Sequence, residues 1–549
     1  MTKKANDLPS FWFNRKFQLS LLLIISSLTL FLNLTYGELS LMEARNFIAA
    51  REITENGNWL IPTMNGQVRL AKPPLPTWLT VLSGLAAGNI ENIVALRFPA
   101  ACMALLLVFF LYFMASQLCT DNLIPFLSAL VLSSSLQFVV VGREGTWDIY
   151  CHSFMLGSIW IFVKAIRRHQ VSYRLFFFSG FLAGLSFLSK GPVSFYALLL
   201  PFLAAYGLSY GLQDFKNKGQ GLVAAIIICI VVSVAWPIYI YIMEPVSLTQ
   251  NVTNESTAWI NRHVKPVWYY WGFAFQSGIW ALFALASLVV PYAKTRINQF
   301  GNYKFLVWWI VFTFILLSVI PEKKERYLLP ILIPLAFLIA HYLRYQLESF
   351  LKRTFTRWDF GLAAFTFMII AFATFAFPII IYFFAFRQLL ISGLLLGYLT
   401  LFFWAFAALL IYFFFKKEFI NLYIVVVLVH VLVVITVIPL YQDILYPADN
   451  FQSLSKVRNI KEIKDLPLYA LNGIPLEQVW KVGKTVDTLN IINQQVKPFP
   501  KLPAAIFSSE QLDPYFPAGY IRFKKIETFH YSRKEPDKTL YLFKAYRIK

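Results

Sequence analysis

Runs of about 20 apolar residues recur between residues 17 and 440, and no other feature narrows the options of this chain as much. Such a segment is what an α-helix needs to cross a hydrocarbon core roughly 30 Å thick. In lipid the backbone must also satisfy its own hydrogen bonds, which favours helices. About thirteen stretches qualify: 17–35, 94–118, 122–141, 150–167, 175–190, 193–212, 221–243, 270–293, 304–320, 327–345, 360–385, 388–414 and 419–440. Only 14% of residues are charged, against roughly a quarter in soluble chains. The fold class expected is therefore a polytopic α-helical membrane protein. A net charge of +21 would suit a nucleic-acid binder, but the basic residues stand in short clusters between apolar segments. No nucleic acid is expected. Cys102, Cys119, Cys151 and Cys229 are scattered and offer neither a disulfide framework nor a thiolate metal site. The N-terminal MTKKANDLPSFWFNRK enters the first apolar run without a small-residue cleavage site, so the first helix is read as retained.

The Lys/Arg content of short loops sets the expected orientation. With the N-terminus (Lys3, Lys4, Arg15, Lys16) in the cytoplasm, the inner loops carry Lys164, Arg167, Arg168 and Arg174, then Lys216 and Lys218, then Lys294 and Arg296. Arg344, Lys352, Arg353, Arg357, Lys416 and Lys417 continue the series. The opposite face receives 36–93, 142–149, 244–269, 321–326 and everything after Tyr441, in loops of mixed charge with Trp, Tyr and Pro. A functional site is expected on that face. Two domains follow: a membrane domain over 1–440 and a small outward-facing soluble α/β domain over 441–549. In the second, LYALNG, AAIFSS, YIRFKK and TLYLFKAYRI read as strands, and 453–463 and 475–480 as helical.

The first outer loop concentrates Glu38, Glu43, Arg45, Arg51, Glu52, Arg69 and Lys72. Charge of that density beside a membrane is either solvated at the interface or used in a cavity. LMEARNFIAAREI has helical spacing and reads as an interfacial helix. In KPPLPTW two prolines fix the backbone after Lys72, which holds a lysine at headgroup level as a point-charge phosphate ligand. VGREGTWDIYCH brings Arg143, Glu144, Asp148 and His152 to the mouth of the membrane, the last three on one helical face at i, i+4, i+8. That stripe reads as a helix cap with a surface ion pair, as a metal site, or as part of a substrate site. FLSKGP adds Lys190, NESTAWINRHVKPVWYYW adds Glu255, Arg262, His263 and Lys265, and PEKKERYLLP adds Lys323, Lys324, Arg326 and Tyr327. Each cation alone reads as a snorkelling side chain. Together with the carboxylates they suit a phosphorylated lipid.

In these motifs the chain resembles the GT-C superfamily of polytopic glycosyltransferases, in particular the family of protein O-mannosyltransferases and lipid A 4-amino-4-deoxy-L-arabinose transferases. The features that carry the resemblance are MEARNFIAARE, NGNWLIPTMNGQVRLAKPPLPTW, REGTWD, FLSKGP, AWP at 235–237 and PEKKERYLLP, in order across 36–345. The resemblance implies the GT-C fold and an inverting transfer of a sugar from a polyprenyl phosphate, undecaprenyl or dolichyl phosphate, to an acceptor hydroxyl or phosphate. In the family the first loop carries an adjacent Asp-Glu pair. Here Met42-Glu43 stands in its place, so either Glu43 takes over or Glu38 approaches from one turn earlier. The family's second acidic residue maps onto Asp148, and its lysine before two prolines onto Lys72.

Glu43, Glu38 and Asp148 are thus the candidate catalytic carboxylates, and Lys72, Arg45, Arg69 and Lys190 the candidate donor-phosphate ligands. Arg143, Glu144, His152, Glu255, Arg262, His263, Lys323, Lys324, Arg326 and Tyr327 are candidate substrate contacts. Such chemistry needs a carboxylate on the acceptor nucleophile and cations on the departing phosphate. No cofactor or obligatory metal is expected, a divalent ion on the acidic stripe being the open alternative. The expected partners are a polyprenyl-phosphate sugar donor, membrane lipids, and a lipid or protein acceptor, with lipid A favoured by the soluble tail and helix count. The expected location is a bacterial inner membrane. Two other classes compete: a lipid transporter or flippase, which would show broken helices and a repeat, and a lipid-binding subunit without catalysis.

Overall fold

The computed structural model describes residues 8–446, 451–517, 519–535 and 537–548. Lys3 and Lys4, counted in the expected orientation, lie outside the described residues. The chain forms two compact units: Met1–Thr35, Leu70–Leu79 and Ile93–Pro439 make the first, and Tyr36–Arg69, Thr80–Asn92 and Leu440–Lys549 the second.

Among the described residues eight helices are long and apolar enough to cross a membrane: Ile93–Leu118, Trp147–Ile166, Gly219–Met243, Val267–Leu288, Glu325–Lys352, Arg357–Phe386, Gly393–Lys416 and Phe419–Leu445. The protein is an integral membrane protein. The stretch expected as one helix over 122–141 is instead two, Leu123–Ser133 and Leu136–Arg143, bent by 64°. Three serines meet at the break. Ser133 and Ser134 donate their hydroxyls to Leu130 O at 2.9 and 2.7 Å, and Ser135 donates to Val131 O at 2.7 Å. Side-chain bonds of this kind compete with the helical ladder and bend it.

The first unit is built around the helix Leu329–Lys352, in which every residue from Leu329 to Leu343 is buried, as is Leu328 before it. Outer helices such as Gly219–Met243 and Gly393–Lys416 bury few of their apolar side chains, as lipid-facing helices do. Where two helices must come very close the sequence supplies glycine. Tyr173–Lys190 packs on Gly219–Met243 through Gly180 and Gly184, a small-xxx-small pair. A Cβ at Gly180 would lie 2.2 Å from Ala225 O, and one at Gly184 would lie 2.5 Å from Val232 Cβ. Ion pairs tie helix ends: Arg344 Nε to Asp121 Oδ2 at 2.7 Å, and Arg296 Nε to Asp359 Oδ1 at 2.9 Å.

In the second unit the helix Leu41–Asn56 opens with a Ser40/Glu43 capping box and stops at Gly57, whose φ of 71° suits a residue without Cβ. This helix is packed rather than one-sided: the Phe47 and Trp480 rings meet at 59° with centroids 5.7 Å apart, and the Arg51 guanidinium lies 5.4 Å from the Trp480 ring. A two-stranded hairpin follows, β1 (Thr63–Met64) and β2 (Gln67–Val68), turned at Asn65-Gly66 with φ of 54° and 75°. Asn-Gly is the favoured pair for such a turn.

The rest of the unit is a six-stranded mixed sheet of β3 (Leu468–Leu471), β4 (Asp487–Ile492), β5 (Gln495–Lys497), β6 (Ala504–Ser508), β7 (Ile521–His530) and β8 (Thr539–Arg547). Its order is β5-β4-β3-β6-β8-β7, with β3 parallel to β4 and β6 and the other pairs antiparallel. The expected strands are present, and DTLNII and QVK add two that the sequence reading passed over.

Candidate functional site

Asp148 occupies the first turn of the helix Trp147–Ile166, and its side chain is 1% exposed. A buried carboxylate is costly unless paired, and here two cations reach it. Lys190 Nζ, at the C-terminus of Tyr173–Lys190, forms a short ion pair with Oδ1, and Arg326 Nε stands 3.9 Å from Oδ2. Tyr327 completes the group. Lys190 Nζ lies 4.7 Å from its ring centroid, with Lys324 Nζ and the Arg326 guanidinium each at 5.8 Å. A tyrosine face with three cations around it gains from each by cation–π attraction. His152, one turn below Asp148, is buried, and its Nδ1 has no hydrogen-bond partner.

Glu144 is not on that helical face, contrary to the expected stripe. The helix Leu136–Arg143 ends before it, Glu144 and Thr146 are extended, and a new helix starts at Trp147. Only Asp148 and His152 share the face. Among the described residues no group of three or more His, Cys, Asp or Glu side chains converges to hold a metal. Arg143 bonds away from Asp148: it donates to Thr29 O and Leu32 O, both at 2.6 Å, and so satisfies carbonyls at the end of the helix Arg15–Phe31.

The loops at 262–270 and 320–327 are zipped together. Val264 and Glu322 form an antiparallel bridge, with Lys265 N donating to Pro321 O and Lys323 N donating to His263 O, both at 3.2 Å. Glu322, 5% exposed, receives Arg262 Nε at 3.2 Å and Lys324 Nζ at 2.9 Å. Burial alone would push its carboxyl pKa up. The hydrogen bond and charge of Lys324, followed by Arg262, outweigh burial and hold it below the ordinary carboxylate value. Lys323 is turned inward, donating Nζ to Ile320 O at 2.6 Å and Lys265 O at 3.1 Å. His263 is exposed and holds a φ of 51°. Lys72 lies opposite Glu255, Nζ to Oε2 at 3.2 Å, and Asn251 Nδ2 secures the same turn by donating to Leu70 O at 3.1 Å.

The remaining candidates belong to the second unit. Glu43 is buried and accepts from Ser40 N at 3.1 Å as half of the capping box, while Glu38 is exposed. Arg45 Nη1 donates to Met42 Sδ at 3.6 Å, and Arg69 is buried. The first unit thus gathers Asp148, Lys190, Arg326 and Tyr327 in one group, Arg262, Lys323 and Lys324 in a second beside Glu322, and Lys72 with Glu255 in a third. Glu322 is not among the residues expected from the sequence, where a glutamate directly before two lysines is the signal that points to it. Tyr270 was also missed: its hydroxyl donates to Lys324 O and accepts from Lys324 N, both at 3.1 Å.

Residues 71–236 match the family model described as dolichyl-phosphate-mannose-protein mannosyltransferase. An undecaprenyl phosphate-alpha-4-amino-4-deoxy-L-arabinose arabinosyl transferase of Proteus mirabilis is 24% identical over 311 residues, 55% of this chain and 54% of the relative. A Pseudomonas fluorescens protein of the same description is 26% identical over 341 residues, 60% of each chain. The chain thus spans about half the length of the curated relatives it matches. In three dimensions it is similar to ArnT from Cupriavidus metallidurans bound to undecaprenyl phosphate, with a TM-score of 0.70, 14% identity and 98% of each chain covered. Over 71–236, over about half its length and in its fold, the chain is thus similar to membrane transferases of the protein-mannosyltransferase and aminoarabinose-transferase kind.

Proposed function

We propose that this protein is an inverting glycosyltransferase that moves a sugar from a polyprenyl phosphate, undecaprenyl phosphate in a bacterial host, to an acceptor on the outer face of the membrane. Lipid A or a related envelope glycolipid is the favoured acceptor, and 4-amino-4-deoxy-L-arabinose the favoured sugar. The observation that carries the reading is the buried Asp148 carboxylate held between Lys190 and Arg326 against the Tyr327 ring. An uncharged substrate gives such a group no use. A lipid phosphate does.

In the reaction an acceptor oxygen attacks the anomeric carbon of the sugar from the face opposite the phosphate. The bond from that carbon to the phosphate oxygen breaks, and the electron pair leaves with the lipid phosphate. Negative charge grows on the leaving group in the transition state, where preorganised cations act most strongly. Lys72 and Lys190 are assigned to the donor phosphate, with Arg45 and Arg69 as further donor contacts. Arg262, Lys323, Lys324 and Arg326 serve substrate phosphates. Asp148 is already engaged by two cations, so it acts by fixing Lys190 and Arg326. Glu43, or Glu38 before it, is assigned to orient or deprotonate an acceptor hydroxyl. An acceptor phosphate oxygen is ionised at neutral pH and needs positioning only. No step requires a metal.

The same reading holds about thirteen membrane passes, the N-terminus in the cytoplasm and the 441–549 domain outside the inner membrane, with 1–440 as the catalytic domain. A second reading, transfer to Ser or Thr of a protein, draws on the mannosyltransferase family match. Transfer from polyprenyl-phosphate sugars in membranes tests both, comparing wild type with Glu43→Gln, Asp148→Asn and Lys72→Ala and reading lipid A and protein adducts by mass spectrometry. The expected result is a lipid A adduct lost in the variants at unchanged expression. Adducts on protein alone would favour the second reading. Unchanged adducts in all three variants would remove the site assignment.

A further inference from the structure

A second cationic cavity lies at the other end of the helix that begins with Asp148. Lys164 stands in its last turn, and the sixteen residues from 148 to 164 at 1.5 Å each separate the two positions by roughly 24 Å. The cavity has a volume of about 470 Å³, and its lining includes Lys164, Arg15, Trp160, Phe113, Tyr112 and Gln18. Trp160 and Phe113 form one wall, with ring centroids 5.0 Å apart, and the Arg15 guanidinium lies 5.4 Å from the Phe113 ring. The polar lining is already ordered. Tyr112 donates its hydroxyl to Gln18 Oε1 at 2.7 Å, and Gln18 Nε2 donates to Trp12 O and Asn122 O at 2.6 and 3.0 Å.

Charge compensation is missing. Asp121 is the one carboxylate on the lining, and it is engaged by Arg344 Nε at 2.7 Å and Leu123 N at 2.8 Å. Among the described residues neither Arg15 nor Lys164 has an ion-pair partner. Two uncompensated cations therefore face a preformed hollow of ligand size. Beside it Phe11, Phe13 and Phe17 are all exposed, an apolar collar next to Arg15. A free anion would use the cations but not the collar. An anionic lipid uses both, and basic pockets between membrane helices suit such headgroups.

We propose that this cavity binds the phosphate headgroup of an anionic phospholipid. Arg15 and Lys164 contact the phosphate oxygens, Tyr112 and Gln18 border the glycerol, and the acyl chains lie over the phenylalanine collar. The lipid bridges the helices Arg15–Phe31 and Trp147–Ile166.

Native mass spectrometry of the full-length protein in detergent, delipidated and then titrated with phosphatidylglycerol or phosphatidylcholine, tests this. About fivefold per cation predicts a preference for phosphatidylglycerol of roughly 25-fold. Arg15→Gln/Lys164→Gln should reduce the preference to about twofold or less, the effect of both cations being removed. Arg15→Lys/Lys164→Arg, which keeps the charges, should retain it. Equal retention of the two lipids by wild type, or an undiminished preference in the Gln variant, would overturn the proposal. Inorganic phosphate displacing phosphatidylglycerol at equal concentration would also overturn it, by marking the site as one for a soluble anion.

Discussion

Asn65 and Val486, 421 residues apart, pair as two strand residues would: Asn65 Nδ2 donates to Val486 O at 2.8 Å, and Asn65 Oδ1 accepts from Val486 N at 2.8 Å. The side-chain amide replaces a peptide group and satisfies both polar atoms of one residue. Glu52 holds the same hairpin from its other side, accepting from Thr63 Oγ1 at 2.5 Å and from Gly66 N at 3.2 Å.

Asn65→Ala removes both bonds and leaves Val486 unsatisfied. Unpaired buried groups cost about 1–3 kcal/mol each, and partial access to water at this half-buried site puts the effect at the lower end. Asn65→Asp should rescue only the bond to Val486 N. Hydrogen exchange at the Val486 amide reads both: acceleration in the Ala variant and partial protection in the Asp variant are expected. Unchanged exchange in both would show that the pairing contributes nothing.

The buried pair of Asp148 and Lys190 predicts a non-additive result. Removing one partner of such a pair costs about 3–5 kcal/mol, because an uncompensated charge stays behind. Asp148→Asn strands Lys190 and Arg326, and Lys190→Met removes one of the two cations. The double variant should be more stable than the sum of the single losses implies, while the proposed sugar transfer should be lost in all three. Thermal unfolding in detergent gives the stabilities and adduct mass spectrometry gives the activity. Simple additivity of the stability losses would contradict the pairing.

Glu322 gives a pH dependence whose sign is fixed. Its folded-state carboxyl is held below the ordinary value of about 4.3. The stabilisation is therefore present above the unfolded-state value and is lost as pH falls through the depressed folded value. Glu322→Gln should be less stable than wild type at pH 7, and the difference should close on acidification below about pH 4. Melting curves of the two proteins across pH 3–8 provide the check, and a gap that widens toward low pH would refute the assignment.

At Gly180 any side chain meets backbone, since a Cβ would stand 2.2 Å from Ala225 O. Gly180→Val should force Tyr173–Lys190 away from Gly219–Met243 and displace Lys190 at its C-terminus. Overpacking costs about 1–3 kcal/mol where the surroundings can shift. Ala225→Gly cannot relieve the contact, because the obstacle is a carbonyl oxygen. Expression and melting temperature should therefore fall alike in Gly180→Val and in Gly180→Val/Ala225→Gly.

Periodicity and the aqueous-loop motifs made the helical architecture legible, because a membrane penalises any other backbone arrangement. Asp148, Lys190, Arg326 and Tyr327 were all visible as motif residues at helix ends, and helix ends meet when helices pack side by side. Pairings set by register were not visible: nothing local links Arg344 to Asp121 or Arg143 to Thr29 O. Glu144 leaves the expected stripe because helical spacing does not continue between Arg143 and Trp147, where Glu144 and Thr146 are extended. The hairpin at 63–68 carries a signal in Asn65-Gly66, but strands two residues long leave no alternation to support it. Glu322 was overshadowed by the lysines after it.

The burial of Leu328–Leu343 separates two kinds of hydrophobicity in one chain. The helices that touch lipid, Gly219–Met243 and Gly393–Lys416, can tilt when a bilayer thins or thickens. The helix that follows Arg326 and Tyr327 has protein on every side through that stretch, so its height is set by side-chain packing. A membrane whose lipid tails change with temperature would thus adjust the rim of the protein while the arginine and tyrosine kept their level.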